Sequence, residues 1–152
     1  MPESEAARYL RRAEHYLKQT KYREALAAVE QAIRLEPENA AAWSLRAAVR
    51  IETEGFAGAV ADCGKALAID PNHADAWSKK ALALYHLEQY VPALAAATRA
   101  VTLNANDGPA WYIRGICLEE LGKSDDAEVA FAKSLELEII LDIREETRRI
   151  RK

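Results

Sequence analysis

The chain has 152 residues, of which half are hydrophobic and 30% are charged, and its formal net charge is −3. This balance excludes a disordered polyelectrolyte and a fibrous protein, and it gives no general attraction to nucleic acid. No apolar run approaches the roughly 18 residues that a membrane span needs, and the N-terminus has neither the basic start nor the apolar stretch of a signal peptide. We therefore expect a cytoplasmic protein. Its 31 alanines favour packed helices over a sheet.

The chain repeats itself with a period of 34 residues. One column is aromatic: Tyr9, Trp43, Trp77 and Trp111. A second column, four residues later, is small: Ala13, Ala47, Ala81 and Gly115. Two further columns contain Ala25, Ala59, Ala93 and Ala127, and the pair Pro37 and Pro71. A fixed period of this length is the signature of a stacked repeat architecture.

These columns resemble the tetratricopeptide repeat, a helix–turn–helix unit of 34 residues. The resemblance covers four units, at about 6–39, 40–73, 74–107 and 108–141, and so nearly the whole chain. It implies an all-α fold, an α-solenoid that forms one domain over residues 1–152. Three positions depart from the pattern: Ala105 and Ile139 replace the proline that ends a repeat, and Tyr9 replaces the first tryptophan.

Local signals agree with four helical pairs. Asn39, Asn72 and Asp107 precede the later units and predict helix N-caps, and Pro37 and Pro71 predict where second helices stop. The second helix of unit two contains Gly58 and Gly64, each of which costs about 1 kcal/mol relative to alanine. Glycine there indicates either a soft helix or a close contact.

The segment from 123 to 152 contains neither glycine nor proline, so the last helix can run on or be followed by another. Ile139, Ile143 and Ile150 fall near one helical face. We predict a C-terminal helix over 142–152, either a capping helix or a helix extension. We favour the cap, because the terminal unit of a solenoid otherwise leaves apolar surface uncovered, here around Phe131, Leu135 and Leu137.

Catalytic and metal-binding patterns are not found. His15, His73 and His86 form no metal-ligand spacing, and phosphate-binding loops are missing. Cys63 and Cys117 lack the CxxC spacing, and we expect Cys63 in the core and Cys117 at least partly buried. We predict a protein that is not an enzyme and that needs no cofactor or metal.

The resemblance implies a concave groove lined by the first helix of each unit, where family members usually bind peptides. The positions that we predict to contact a ligand are Leu45, Ile51, Lys79, Leu82, Tyr85, His86, Tyr112, Ile113 and Ile116. They predict binding of an apolar peptide or amphipathic helix, with Lys79 and His86 orienting it. Some of these side chains could instead point into the core, because a groove assignment shifts easily by one position.

Two other partners are considered. The apolar groove or the C-terminal helix could make a homo-oligomer that needs no foreign ligand. Nucleic acid is disfavoured, because the predicted groove has no basic wall.

Some relatives use a cationic clamp that captures the C-terminal carboxylate of chaperones. The matching positions here are Leu10, Glu14, Leu45, Asp75 and Lys79. Only Lys79 has the required charge, so we expect no chaperone-tail binding of that kind.

Overall fold

A computed structural model describes residues 2–152, and these residues form eight α-helices and no strand. The helices pair as four antiparallel hairpins, which confirms the all-α fold and the repeat. Their bounds are α1 Glu5–Lys18, α2 Tyr22–Leu35, α3 Ala40–Glu52, α4 Phe56–Ile69, α5 Ala74–His86, α6 Tyr90–Leu103, α7 Gly108–Glu120 and α8 Ser124–Ile150.

The hairpins stack in two layers. Each helix packs against the next one along the chain, and the first helices α1, α3, α5 and α7 also pack against one another. Within residues 2–152 the second helices α2, α4, α6 and α8 make no such contacts among themselves. The first helices are therefore crowded and the second helices are splayed apart, as expected for a solenoid whose inner, concave face is built from first helices.

The tryptophans of the aromatic column bond each of the last three hairpins to the turn that precedes it. The indole Nε1 of Trp43 donates to the carbonyl of Pro37, that of Trp77 to Pro71, and that of Trp111 to Ala105, at 2.8–2.9 Å. Since the acceptor is a backbone carbonyl, Ala105 can stand in place of proline and still accept the hydrogen bond from Trp111.

A cation lies over each ring of the column, three residues farther along the helix. The distances from the cationic group to the ring centroid are 4.9–5.9 Å for Arg12 on Tyr9, Arg46 on Trp43, Lys80 on Trp77 and Arg114 on Trp111. The repeat therefore includes a cation–π pair that the first helix of every unit keeps.

The helix caps follow the sequence prediction at two of three places. Asn39 and Asp107 accept hydrogen bonds from the amides of Ala42 and Ala110. The prediction for Asn72 is wrong, because the next residue, His73, is the cap and its Nδ1 accepts from the amide of Ala76 at 3.2 Å. The Asn72 side chain instead accepts from the Arg99 guanidinium.

The C-terminal segment is a helix extension, and the cap that we favoured is wrong. α8 continues without a break from Ser124 to Ile150. The Ser134 hydroxyl donates to the carbonyl of Gly108 at the start of α7, and Leu137 is the last buried residue. Beyond that point α7 offers nothing to pack against. With no glycine or proline to turn the chain, residues 138–150 project past unit four with all their side chains exposed.

Three helical glycines have different surroundings. A Cβ on Gly58 would lie 3.2 Å from the Arg50 side chain, whereas one on Gly64 would meet nothing within 4 Å. A Cβ on Gly115 would lie 2.6 Å from the ring of Phe131. Of the two predicted alternatives, the close contact therefore applies to Gly58. Phe131 is the largest residue of the column that contains Val29, Cys63 and Ala97, and it faces Gly115, the one glycine of the small column.

We expect Gly115→Ala to lower the free energy of unfolding by about 1–3 kcal/mol, because the Phe131 ring has to leave its position. Gly64→Ala should raise it by up to about 1 kcal/mol, since alanine is the better helix former and has free space. Chemical denaturation measures both. Equal effects of the two substitutions would contradict the packing described for unit four.

The turn inside each hairpin contains one residue in the left-handed region. These residues are 34 apart and have φ of 59° at Thr20, 62° at Glu54, 59° at Glu88 and 79° at Gly122. Only the last is glycine, which adopts this conformation without a Cβ clash.

We therefore expect Thr20→Gly, Glu54→Gly and Glu88→Gly each to stabilise the protein by about 0.5–1 kcal/mol. Gly122→Ala should destabilise it by a similar amount. Thermal unfolding followed by circular dichroism checks the sign of each change, and stabilisation by Gly122→Ala would contradict the strain assigned to these turns.

Candidate functional site

The inner layer contains a partly exposed apolar surface that crosses α3, α5 and α7. Leu45, Leu82, Tyr85 and Ile116 are neither fully buried nor fully exposed, and Tyr112 is 52% exposed. We call these five residues the groove floor. They are five of the nine residues predicted from the sequence to contact a ligand.

Two predicted groove residues belong to the core. Ile51 is buried against Ala47, Ala59, Cys63 and Ala83 between units two and three. Ile113 is likewise buried, in the cluster of Ala81, Leu84, Ala93, Ala96, Ala97 and Cys117. Their assignment to the exposed groove is wrong because residues of unit three cover both side chains, although Ile51 shares its repeat position with Tyr85 and Ile113 shares its position with Leu45.

The centre of the groove floor rests on the core. Leu82 packs against both of the clusters just described, and Tyr85 packs against the second. A ligand would thus touch only one side of the Leu82 side chain. Packing thus holds the Leu82 side chain in place, so that it offers a ligand a fixed apolar surface.

A polar chain crosses the inner layer beside the groove floor. The buried Ser44 hydroxyl of α3 donates to Oδ2 of Asp75 on α5 at 2.7 Å. The Nζ of Lys79 lies 3.6 Å from Oδ1 of the same carboxylate. Asp75 therefore interacts with both Ser44 and Lys79. Lys79, the one cation at the predicted clamp positions, is thus engaged within the protein.

His86 is part of an aromatic cluster at one end of the groove floor. Its ring stacks on Phe56 with centroids 4.5 Å apart and planes within 11°. Tyr85 lies 5.2 Å from His86 and 6.3 Å from Tyr90. Phe56 and Tyr90 escaped the sequence prediction, although both are the aromatic first residues of second helices and follow the repeat period.

Tyr112 lies at the other end of the groove floor, in unit four. Its ring centroid is 5.7 Å from that of Phe131 on α8. The phenyl ring thus supports the tyrosine from behind while about half of its surface remains accessible.

The most unusual feature of unit two is a buried carboxylate with two arginines. Asp62 is 2% exposed, and it accepts from Nε and Nη2 of Arg46 at 2.8–3.2 Å and from Nη1 of Arg50 at 2.9 Å. Arg50 also donates to the carbonyl of Gly58. The glycine at 58 leaves room for this arginine.

The columns could have revealed this triad. In the other units the Arg50 position contains Tyr16, Leu84 and Leu118, and the Asp62 position contains Ala28, Ala96 and Ala130. Charged residues that replace apolar ones in two packed columns indicate a buried ion pair.

Both cysteines are buried thiols, as the sequence predicts. Burial, together with the nearby Asp62 carboxylate, raises the pKa of Cys63 to about 12. Burial raises the pKa of Cys117 to about 11, and the carboxylate of Glu120 adds to this effect. Such thiols stay protonated at neutral pH and are poor nucleophiles.

Comparison with known proteins identifies the family. A model described as tetratricopeptide repeat matches residues 10–72, and one described as anaphase-promoting complex, cyclosome, subunit 3 matches residues 52–134, more than half of the chain. The chain belongs to the tetratricopeptide-repeat family. This family is generally a non-enzymatic interaction fold. A sequence comparison with curated proteins gives no match.

Solved tetratricopeptide structures superpose closely on this chain. The crystal structure of MamA has a TM-score of 0.78 at 20% identity, covering 91% of this chain and 81% of that one. A thermophilic tetratricopeptide protein of Thermus thermophilus, TTC0263, has a TM-score of 0.77 at 21% identity, covering 88% and 74%. The first such domain of Spaghetti (RPAP3), bound to the HSP90 peptide SRMEEVD, has a TM-score of 0.74 at 25% identity, covering 77% and 93%.

Two further properties concern the part of the chain that the structure describes. None of its helices combines the length and apolar composition that crossing a bilayer requires. Over the same residues, histidine, cysteine, aspartate and glutamate side chains form no group of three that could hold a metal ion.

We expect Asp62→Ala to lower the free energy of unfolding by about 3 kcal/mol, because it leaves two partly buried arginines without their counterion. Adding Arg50→Leu should recover part of that loss, since the Arg50 column is apolar in the other units. The control is Glu136→Ala, which breaks the surface pair with Lys133 and should cost under about 1 kcal/mol. Denaturant unfolding measures all three, and an Asp62→Ala protein as stable as the control would show that the triad contributes nothing.

Proposed function

We propose that this protein is a protein-interaction scaffold that binds an apolar segment of a partner along its groove floor. The observation that carries the proposal is that Leu45, Leu82, Tyr85, Ile116 and Tyr112 are apolar and partly exposed on three successive first helices. Burying half-exposed apolar side chains of this kind contributes about 25 cal/mol for each Å² removed from water.

The chemistry of the groove favours an apolar ligand over an acidic one. The related RPAP3 domain binds the acidic peptide SRMEEVD. In the present chain the corresponding clamp positions contain Leu10, Glu14, Leu45 and Asp75, and their only cation, Lys79, faces Asp75. A terminal carboxylate would meet two acidic side chains and no free clamp.

The geometry of the ligand follows from that of the floor. The apolar residues are supplied by successive first helices, and a groove of this kind accepts either an amphipathic helix or an extended strand with regularly spaced anchors. His86, fixed by stacking on Phe56, and Lys79, whose ammonium has further N–H donors besides the one that faces Asp75, stand at its edge and orient the ligand.

Fluorescence anisotropy with two labelled peptides tests the proposal. One is an amidated amphipathic peptide with leucine at i, i+3, i+4 and i+7, and the other is SRMEEVD. We expect the leucine peptide to bind and the acidic peptide to bind much more weakly. Preference for SRMEEVD would overturn the proposal.

We expect Ile116→Glu to weaken binding of the leucine peptide at least about tenfold, because a carboxylate that is hydrated in the free groove loses its water when the ligand binds. The matched control is Val91→Glu on α6, an apolar-to-acidic change at a residue that is 67% exposed on a second helix. It should leave the affinity unchanged. Equal losses in the two variants would place the binding surface elsewhere.

A further inference from the structure

The interfaces between units show which positions of the repeat a neighbouring unit covers. Val60 of unit two packs against a cluster of units three and four, and Leu94 of unit three packs against the Leu118 cluster of unit four. On the first helices, Ile51 of unit two lies in one cluster with Ala83 of unit three. The period of 34 residues repeats these positions in the first and last units, where residues 2–152 provide no further unit to cover them.

Four positions of α1 correspond to positions that a preceding unit covers in the rest of the chain. In the later units, one of these positions is always a buried alanine, and another contains Leu45, which packs against unit one. The third contains Cys117, which is buried against unit three, and the fourth contains His86, which stacks on Phe56. In unit one all four are basic and exposed: Arg8, Arg11, His15 and Lys18. We call them the basic end.

At the other end of the chain, two positions that a following unit covers elsewhere are acidic. Glu128 on α8 has the repeat position of Leu94, and Glu119 on α7 has that of Tyr85. Both carboxylates are exposed. We call Glu119 and Glu128 the acidic end. A terminal repeat needs a polar outer face to stay soluble, but that requirement does not give the two ends opposite charge.

The opposite charges match in register. Glu128 has the position of Leu94, and Arg11 has the position of Ile113. Leu94 packs against the cluster that contains Ile113, across the boundary between units three and four. A second copy that follows unit four as a fifth unit would therefore place its Arg11 against Glu128.

A second pair of positions gives the same match. Glu119 has the position of Tyr85, and His15 has the position of Cys117. Tyr85 packs against the cluster that contains Cys117 across the same boundary. In the second copy the imidazole of His15 would thus lie beside the Glu119 carboxylate, to which a ring N–H can donate a hydrogen bond.

We propose that copies of this chain associate head to tail, with the acidic end of one copy packed on the basic end of the next. The contact continues the interface that already joins the units within the chain. It also covers Leu135, which is 57% exposed at the position of the buried Val101. The α8 extension leaves the contact open, because residues 138–150 lie beyond the level at which first helices begin.

The contact is weaker than the internal interfaces and depends more on charge. Arg8 has the position of a buried alanine, so the two ends approach less closely than neighbouring units do. In the single chain Arg11 pairs with Glu3 at 2.9 Å, and both side chains are largely hydrated. A surface pair of this kind contributes under about 1 kcal/mol and is easily exchanged for another. Salt should therefore weaken the association strongly.

A foreign polyanion is the less suitable partner for the basic end. Glu3, Glu5 and Glu14 are interspersed among its basic side chains and reduce the attraction to a uniformly negative surface. The acidic end instead presents single carboxylates in register with single basic side chains. The association needs no peptide, so its failure would leave the proposed function untouched.

Sedimentation equilibrium of the full chain over a dilution series, at about 50 mM and about 500 mM NaCl, tests the proposal. At low salt we expect an average mass that rises with concentration beyond twice 16.9 kDa, because every copy that is added leaves a free end. At high salt the dissociation constant should be at least about tenfold larger, since screening weakens exposed charge pairs.

Glu128→Arg should raise the dissociation constant at low salt at least about tenfold, because two cations then face each other. The matched control is Glu136→Arg, the same charge reversal on the same helix. Its position is exposed in every other unit and so is not covered by a neighbour. It should change the constant little, and circular dichroism verifies that both variants fold.

A second reversal tests the register. Arg11→Glu should weaken the association as Glu128→Arg does, and the double variant should regain most of the affinity of the parent, because the reversed charges face each other in neighbouring copies. The two residues lie in the first and last units, so a purely structural role of one would not be restored by the other.

Four results would overturn the proposal. They are a monomer at every concentration at low salt, a dimer that grows no further, equal effects of Glu128→Arg and Glu136→Arg, and a chain that stays monomeric but binds a heparin oligosaccharide through Arg11.

Discussion

The close approach of the two helices in each hairpin is the constraint on which the rest of the structure depends. It requires a small residue at the crossing point, and the chain provides Ala13, Ala47, Ala81 and Gly115 there. The facing column contains Val29, Cys63 and Ala97 opposite the three alanines, and its largest residue, Phe131, lies opposite the glycine, where a Cβ would not fit. Because every unit keeps this crossing, the hairpins have the same shape and stack regularly. Regular stacking gathers the first helices into one surface, and this surface is the candidate groove.

Polar interactions fix the register of these hairpins. Each indole of the aromatic column bonds to a turn carbonyl and lies under a cation of its own helix. Unit two departs from this uniformity, since its hairpin core contains the Asp62 carboxylate between two arginines. Burying such a triad carries a desolvation penalty in free energy, and the charged groups can pair in few alternative positions. It holds α4 against α3, the helix that also carries Leu45, where the groove floor begins.

The sequence predicted the number, order and pairing of the helices because one period organises four columns. It predicted the groove less well. Ile51 and Ile113 have the same repeat positions as Tyr85 and Leu45, but packing against unit three buries them, and neither the repeat period nor hydrophobicity predicts this difference. The N-cap of α5 is His73 and not the predicted Asn72, because an imidazole nitrogen accepts a hydrogen bond as an amide oxygen does. The end of α8 was ambiguous because its pattern of isoleucines suits a cap and an exposed stripe equally, and only the end of α7 decides between them.

The central claim is that the inner surface of units two to four is where a partner binds. NMR chemical-shift mapping with the amidated leucine peptide tests it most directly, since the method reports every residue at once. The account predicts that perturbations concentrate on α3, α5 and α7, around Leu45, Leu82, Ile116 and Tyr112, and leave α2, α4 and α6 unchanged. Perturbations confined to the second helices or to the α8 extension would contradict it.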